Sequence, residues 1–301
     1  MNRASVMVVV VFAAALSATT FGAELASEMA KRILDAAPDK PYAKPQSPRR
    51  LLVFTLTRGF RHESIPAGVA AMRALAEKTR AFEIEHSEDP AVFEPSSLAQ
   101  FDAVCMLNTT GELFFAPDFD KLPQEQQAAA LQRDELRKEG LRDFVEGGKG
   151  LVGIHAATDT HYQWEWYGAT IGGYFDGHPW HEQVGVKVEE PSHPVNAACS
   201  DGDFTIVDEI YQLKSPYARD KLRVLLSLDC SKTDMKKDGV HRTDGDFAIS
   251  WVRMQGRGRV YYCSLGHRDE IYWNPKILRH YLAGIQFALG DLPADATPRG
   301  K

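Results

Sequence analysis

The chain has 301 residues, 44% of them hydrophobic, with 35 Lys and Arg against 41 Asp and Glu for a formal charge of −6. That balance leaves no basic footprint for nucleic acid, and four cysteines are too few for a disulfide scaffold. Beyond a leader, the remaining residues (roughly 280) can bury one large core.

Arg3, an apolar run from Val6 to Leu16 and then Ser17, Thr19, Gly22 and Ala23 read as a secretory signal peptide over residues 1–23. A retained N-terminal anchor is the alternative, although the run is short for a permanent span. Cleavage would place the mature protein in the periplasm or outside the cell. Residues 24–48, rich in Ala, Lys and Pro, are expected to form a short helix and an extended linker. The folded domain is expected over residues 49–292, with a flexible tail over 293–301.

Leu51 to Phe54 is a continuous apolar run, suited to a strand covered on both faces. Pro66 to Lys78 has helical spacing, Phe82 to His86 alternates like a strand, and Ala103 to Leu107 is again continuously apolar. Gln124 to Val145 predicts a long helix, with a strand after it over Leu151 to Ile154. Helices alternating with strands predict a parallel sheet with helices on both sides. The second half changes character, with short strands expected at Val184–Val188, Phe204–Val207, Val224–Leu228, Ala248–Val252 and Val260–Cys263. Gly256-Arg257-Gly258 has the composition of a hairpin turn. A last helix is expected from Pro275 to Leu289.

Ligands of such sheets collect beyond the carboxyl ends of the strands. Those ends carry Arg58 to Ser64, Asn108 to Glu112, His155 to His161 and Ser264 to Glu270. Gly153-Ile154-His155-Ala156-Ala157 has the small flanking residues of a nucleophile elbow, with a histidine where Ser or Cys would attack. His267 beside Asp269 or Glu270 resembles the base-and-acid half of a triad. Without a thiol at the elbow, a thioester route has no nucleophile, and a histidine pair suits proton transfer or metal binding instead.

Several segments together resemble the ThuA-like (trehalose utilisation) family. They are Gly59 to His62, Leu107 to Gly111, Gly150 to Asp159, Gly172 to Phe175, His193-Pro194, Asp208 to Tyr211 and Gly258 through His267, spread over residues 50–290. The resemblance implies an α/β fold similar to flavodoxin and class I glutamine amidotransferases. That fold is a three-layer sandwich with a mostly parallel central sheet, here with extra strands in the C-terminal half and no catalytic cysteine. It also implies a link to sugar catabolism, in particular to disaccharides oxidised at carbon 3. Phe114 to Arg133 is longer than the usual connection in such proteins.

Tyr162, Trp164, Trp166, Tyr167, Tyr174, Phe175 and Trp180 crowd one stretch. They would stack on sugar rings or form a small second core, and Gly172, Gly173 and Gly177 favour a loop-built site. His178 and His181 have H-x-x-H spacing in a loop. With His155 they could offer three nitrogen ligands to a zinc-like divalent ion, with Asp159 or Glu209 completing the set. Arg61 and His62 would bind a hydroxyl-rich or anionic ligand, or Arg61 would pair with an acid. Asp208 and Glu209 would supply a general base or a structural pair. His193-Pro194 reads as a turn, His86, His241 and His280 as surface or packing residues, and residues 231–246 as a lid.

The expectation is thus an exported carbohydrate-active enzyme. His155, His267, Glu209 and Asp269 would do the chemistry. Arg61, His62, Asn108, Asp159, Trp164, Trp166 and Trp180 would hold the sugar. A non-catalytic sugar-binding protein on the same scaffold is the alternative, and a glutaminase lacks its thiol.

Overall fold

The computed structural model describes residues 26–300, so the leader expected over residues 1–23 lies outside the described residues. Strands β1 (Arg50–Phe54), β2 (Glu83–Ser87), β3 (Ala103–Leu107), β4 (Gly150–Ile154) and β11 (Gly258–Cys263) pair in parallel in the order β2-β1-β3-β4-β11. Antiparallel pairing then extends the sheet through β10 (Ala248–Gln255), β9 (Arg223–Leu228), β6 (Trp180–Val188) and β7 (Phe204–Ile210). The short strands β5 (Tyr174–Phe175) and β8 (Leu213–Lys214) pair apart from it. The β10–β11 hairpin closes at Gly256-Arg257, where Gly256 supplies a φ of +57°.

The continuous apolar runs divide by strand alternation between two cores. Leu51, Val53, Cys105, Leu107, Val152 and Ile154 face one side. There they meet helix α2 (Ile65–Thr79) and helix α6 (Pro275–Ala288). Leu52, Phe54, Val104, Met106 and Leu151 face the other. That side is covered by α3 (Pro95–Leu98), α4 (Gln124–Glu146) and α5 (Glu165–Ile171). The result is the three-layer α/β sandwich expected. Helix α6 starts where it does because Asn274 accepts from the Lys276 and Ile277 amides and Pro275 occupies the first turn.

Residues 26–36 form helix α1, and the chain after it is strapped to α6. Gln286 Oε1 accepts from the Tyr42 and Ala43 amides, and the buried Asp291 carboxylate holds Arg49 and the Gln46 amide. The C-terminal segment is also held. Asp295 pairs with Arg223 at 2.9 Å, its carbonyl accepts from His193 Nε2, and Ala296 is buried. Among the described residues no helix is long and apolar enough to cross a membrane.

His280, on α6, is fully buried between Ser250 and the Val195 carbonyl, and burial lowers its pKa to about 4. An unfolded chain takes up this proton below pH 6.5, whereas the folded chain refuses it until about pH 4. Stability is therefore full above pH 6.5 and lost as pH falls toward 4, by up to ~3 kcal/mol from this one group. Urea unfolding at pH 7.5 and pH 5 should show a steeper fall for the parent than for His280→Gln, and equal slopes would refute the assignment.

Candidate functional site

The sheet reverses its strand order between β1 and β3, the place where such folds open a crevice at the carboxyl ends. The loop after β1 is pinned there. Arg58 N donates to the Thr110 carbonyl at 2.7 Å, and Thr110 Oγ1 donates to the Phe60 carbonyl at 2.8 Å. Ser64 Oγ donates to the Gly266 carbonyl, and Asn108 Nδ2 donates to Ser64 Oγ. Asn108 is thus a buried brace between the loops after β1, β3 and β11. These contacts deliver His62 to the crevice, 95% buried and with Nδ1 lacking a hydrogen-bond partner.

After β4 the chain turns sharply, and His155 sits at φ +50°. A left-handed non-glycine residue costs about 1–3 kcal/mol and persists only when its surroundings hold it. Here they do. The Ser264 carbonyl accepts from Nδ1 at 2.6 Å, Tyr211 Oη hydrogen-bonds with Nε2 at 2.9 Å, and the His155 carbonyl accepts from Tyr262 Oη at 2.7 Å. The elbow also needs small neighbours. A Cβ at Gly153 would come within 2.6 Å of Ile171 and 2.9 Å of Tyr262.

The acid at the centre comes from β7. Asp208, fully buried, accepts from the Gly266 and Arg268 amides and so fixes the loop that carries His267. Burial nonetheless pushes its pKa up. The next residue, Glu209, faces the histidines. Its Oε2 lies 3.1 Å from His155 Nε2 and 3.0 Å from His267 Nδ1. Its Oε1 lies 3.1 Å from His178 Nδ1 and 2.5 Å from His181 Nε2. Burial opposes the Glu209 charge, but the contacts with His155 and His267 outweigh it and hold the carboxyl far below the usual range. His267 is raised above 6.5, chiefly by Glu209. His62 is lowered to about 3 by burial and then by the neighbouring imidazoles, so its ring is neutral.

Several residues expected in the site lie elsewhere. Asp269 turns away in a 3-10 helix (Asp269–Trp273) and lines a separate concavity with Met29, Arg32 and Trp273. Glu209 stands where the triad analogy places Asp269. Trp180 is fully buried in the core, with Nε1 donating to the Asp234 carbonyl. Trp164 is buried in the second core and stacks on Trp166, whose Nε1 donates to Glu146. The aromatic stretch is mainly a second core. Arg61 is exposed and paired with Glu88 at 2.8 Å. Asp159 accepts from Tyr162 Oη at 2.6 Å, and burial raises its pKa. His161 packs against Phe114 in the second core.

The ligand trio His155, His178 and His181 is not a group. The donor atoms that converge within 4.8 Å are His62, His155, His267 and Glu209, or else His178, His181 and Glu209, with only Glu209 shared. Three aromatics that the sequence does not single out as site residues join the cluster. Tyr211 hydrogen-bonds with His155, Phe175 stacks on His178, and Phe60 is 63% exposed with its ring 4.8 Å from that of His62. Phe60 lies within the Gly59 to His62 motif, but only its exposure marks it as a contact surface. Burial raises the thiols of Cys105, Cys199 and Cys263 and leaves no reactive thiolate among them.

The sequence profile of the ThuA family, described as trehalose utilisation, matches residues 50–288. No curated protein matches the chain. Among solved structures, a ThuA-like protein from Bacteroides uniformis aligns with a TM-score of 0.57 at 21% identity, over 81% of this chain and 92% of the other. A ThuA-like protein from Parabacteroides merdae aligns with a TM-score of 0.60 at 14% identity, over 83% and 93%. At these identities the structures speak for the fold, and the profile speaks for kinship. The chain belongs to the ThuA family.

Proposed function

We propose that this protein is a carbohydrate-active enzyme whose substrate is a sugar, or a disaccharide oxidised to a ketone, and whose centre is the histidine–glutamate cluster. The observation that carries the reading is the convergence of four imidazoles on one buried carboxylate at the carboxyl end of a parallel sheet. Such a centre can move a proton beside a carbonyl, which is the common step of isomerisation, epimerisation and elimination. His155, with its Nδ1–H given to a backbone carbonyl, presents Nε2 as the basic atom. His267 is the more accessible partner, and Glu209 orients both. A divalent ion held by the same groups would occupy these lone pairs and polarise the carbonyl in place of proton transfer by His155 and His267.

The sugar reading rests on the family description and on Phe60, an exposed ring beside His62 that suits the C–H face of a pyranose. A non-catalytic sugar-binding protein is the alternative, and the burial of Trp164 and Trp180 removes the same sugar platform from both readings. An extracytoplasmic location belongs to the same proposal and rests on residues 1–23.

The test is turnover of 3-keto-disaccharides by the purified protein. His155→Gln and His267→Gln should each lose about 10²-fold or more in kcat, and Phe60→Ala should raise KM about tenfold with little change in kcat. Asp269→Asn should behave as the parent. Parent-like rates in both histidine variants, or no turnover of any oxidised disaccharide by the parent, would end the proposal.

A further inference from the structure

We infer that the inner half of the cluster is a metal centre, in which His62, His155, His267 and Glu209 hold one divalent first-row transition ion. The inference rests on the reading that this cluster is the working centre, and it names the chemistry there.

Geometry comes first. The four donor atoms lie within 4.8 Å of one another, and Glu209 Oε2 is 3.1 Å from His155 Nε2 and 3.0 Å from His267 Nδ1. Two ligands each about 2.1 Å from an ion, at octahedral to tetrahedral angles, stand roughly 3.0–3.4 Å apart. The observed spacings fall in that interval. The His267–Glu209 approach is close, and the Nδ1 hydrogen is poorly aligned with the carboxylate.

The protons argue in the same direction. A backbone carbonyl can only accept, so the 2.6 Å contact to Ser264 requires a hydrogen on His155 Nδ1. That leaves Nε2 as the atom facing Glu209 Oε2, at 3.1 Å. An imidazole whose other nitrogen donates to a backbone carbonyl is the usual outer support of a metal ligand. His62 adds a second observation. It is 95% buried, its Nδ1 has no partner, and its ring centroid lies 4.8 Å and 5.2 Å from those of His155 and His267. Leaving such an atom unsatisfied costs about 1–3 kcal/mol. The competing Tyr211 hydroxyl is one neutral hydrogen bond, worth about 1 kcal/mol net, and an ion would displace it readily.

Three imidazoles and one carboxylate suit ions such as zinc, iron, nickel or manganese, whereas calcium and magnesium prefer all-oxygen shells. His178 and His181 lie on the opposite oxygen of Glu209 and are about half exposed. They stand at the mouth, outside the ion's shell, where they can exchange protons with solvent and substrate.

The experiment strips the full purified chain with a chelator and titrates it calorimetrically with Zn²⁺, Mn²⁺ and Mg²⁺ separately. One equivalent of Zn²⁺ or Mn²⁺ should bind, and Mg²⁺ should not. His62→Ala and His267→Gln should each weaken binding at least ~100-fold, while the double variant His178→Ala/His181→Ala should stay within about threefold of the parent. Circular dichroism melts identify any variant that fails to fold, and His267→Gln, at a partly exposed position, keeps the test valid if His62→Ala does. No saturable binding to the parent, parent-like affinity in the folded inner variants, or loss confined to the outer pair would each overturn the inference. Turnover of 3-keto-disaccharides is read on the same preparations. Stoichiometric metal without turnover would refute the functional proposal alone, and turnover by a parent protein that binds no ion would refute the metal centre alone.

Discussion

Glu209→Gln is expected to cut turnover by about 10³-fold or more while the chain stays folded. The carboxylate touches four imidazoles through both of its oxygens, so no other single side chain serves as many partners in the cluster. Glutamine keeps the volume, removes the charge and turns an N–H toward one of the histidine nitrogens. With the charge gone, nothing counters a protonated imidazole or an ion at this position. Folding should suffer much less. A buried carboxylate, 4% exposed, bears a large desolvation cost that the neutral amide avoids, and the two effects offset to within about 1–2 kcal/mol. Steady-state kinetics and thermal melts on the variant check both halves. A variant that keeps more than a tenth of parent kcat would remove Glu209 from the chemistry. One that melts far below the parent would show that the cluster is chiefly structural.

Most of the fold is legible in the sequence because the chain alternates strongly contrasted segments. Ala103 to Leu107 has the same limits as apolar run and as strand, since a run buried on both faces cannot be confused with its polar flanks. Pro275 places the start of the last helix, which ends one residue early, at Ala288. Helix α5 is not legible because it lies inside the aromatic stretch, where ring density masks helical spacing. In the site, His62, His155 and His267 all follow the carboxyl ends of strands, His155 as the first residue of a 3-10 turn, and Glu209 sits near the end of β7, so position along the chain is enough to single them out. How they combine is hidden. The Asp269 pairing rests on nearness in sequence, whereas the acid that meets His267 arrives on β7. Likewise H-x-x-H is a local pattern, but the partner set of His155 is completed by His62 and His267 from other strand ends. Such long-range convergence depends on the order of strands in the sheet, which no short motif encodes.

Trp180→Ala, finally, is expected to lower stability by about 3–5 kcal/mol, the range for emptying a large aromatic site in a packed core. Strand alternation explains why this ring resembles a sugar platform in the sequence and is none in the fold. Trp180 and His181 are neighbours on β6, so their side chains leave opposite faces. His181 reaches Glu209, while Trp180 packs edge-on against Phe247 and donates Nε1 to the Asp234 carbonyl. Deleting the ring empties a dry site and strips that carbonyl of its donor. For a domain of this size the loss corresponds to a melting point lower by roughly 6–10 °C. Trp180→Phe, which keeps most of the volume, should lose roughly half as much. Phe60→Ala supplies the contrast, because an exposed ring removed from the rim should shift the melting point little and raise KM instead. Differential scanning calorimetry and sugar titrations on the three variants decide the matter. If Trp180→Ala melts with the parent and loses only carbohydrate affinity, the ring faces the ligand and the assignment of this face of β6 to the core is wrong.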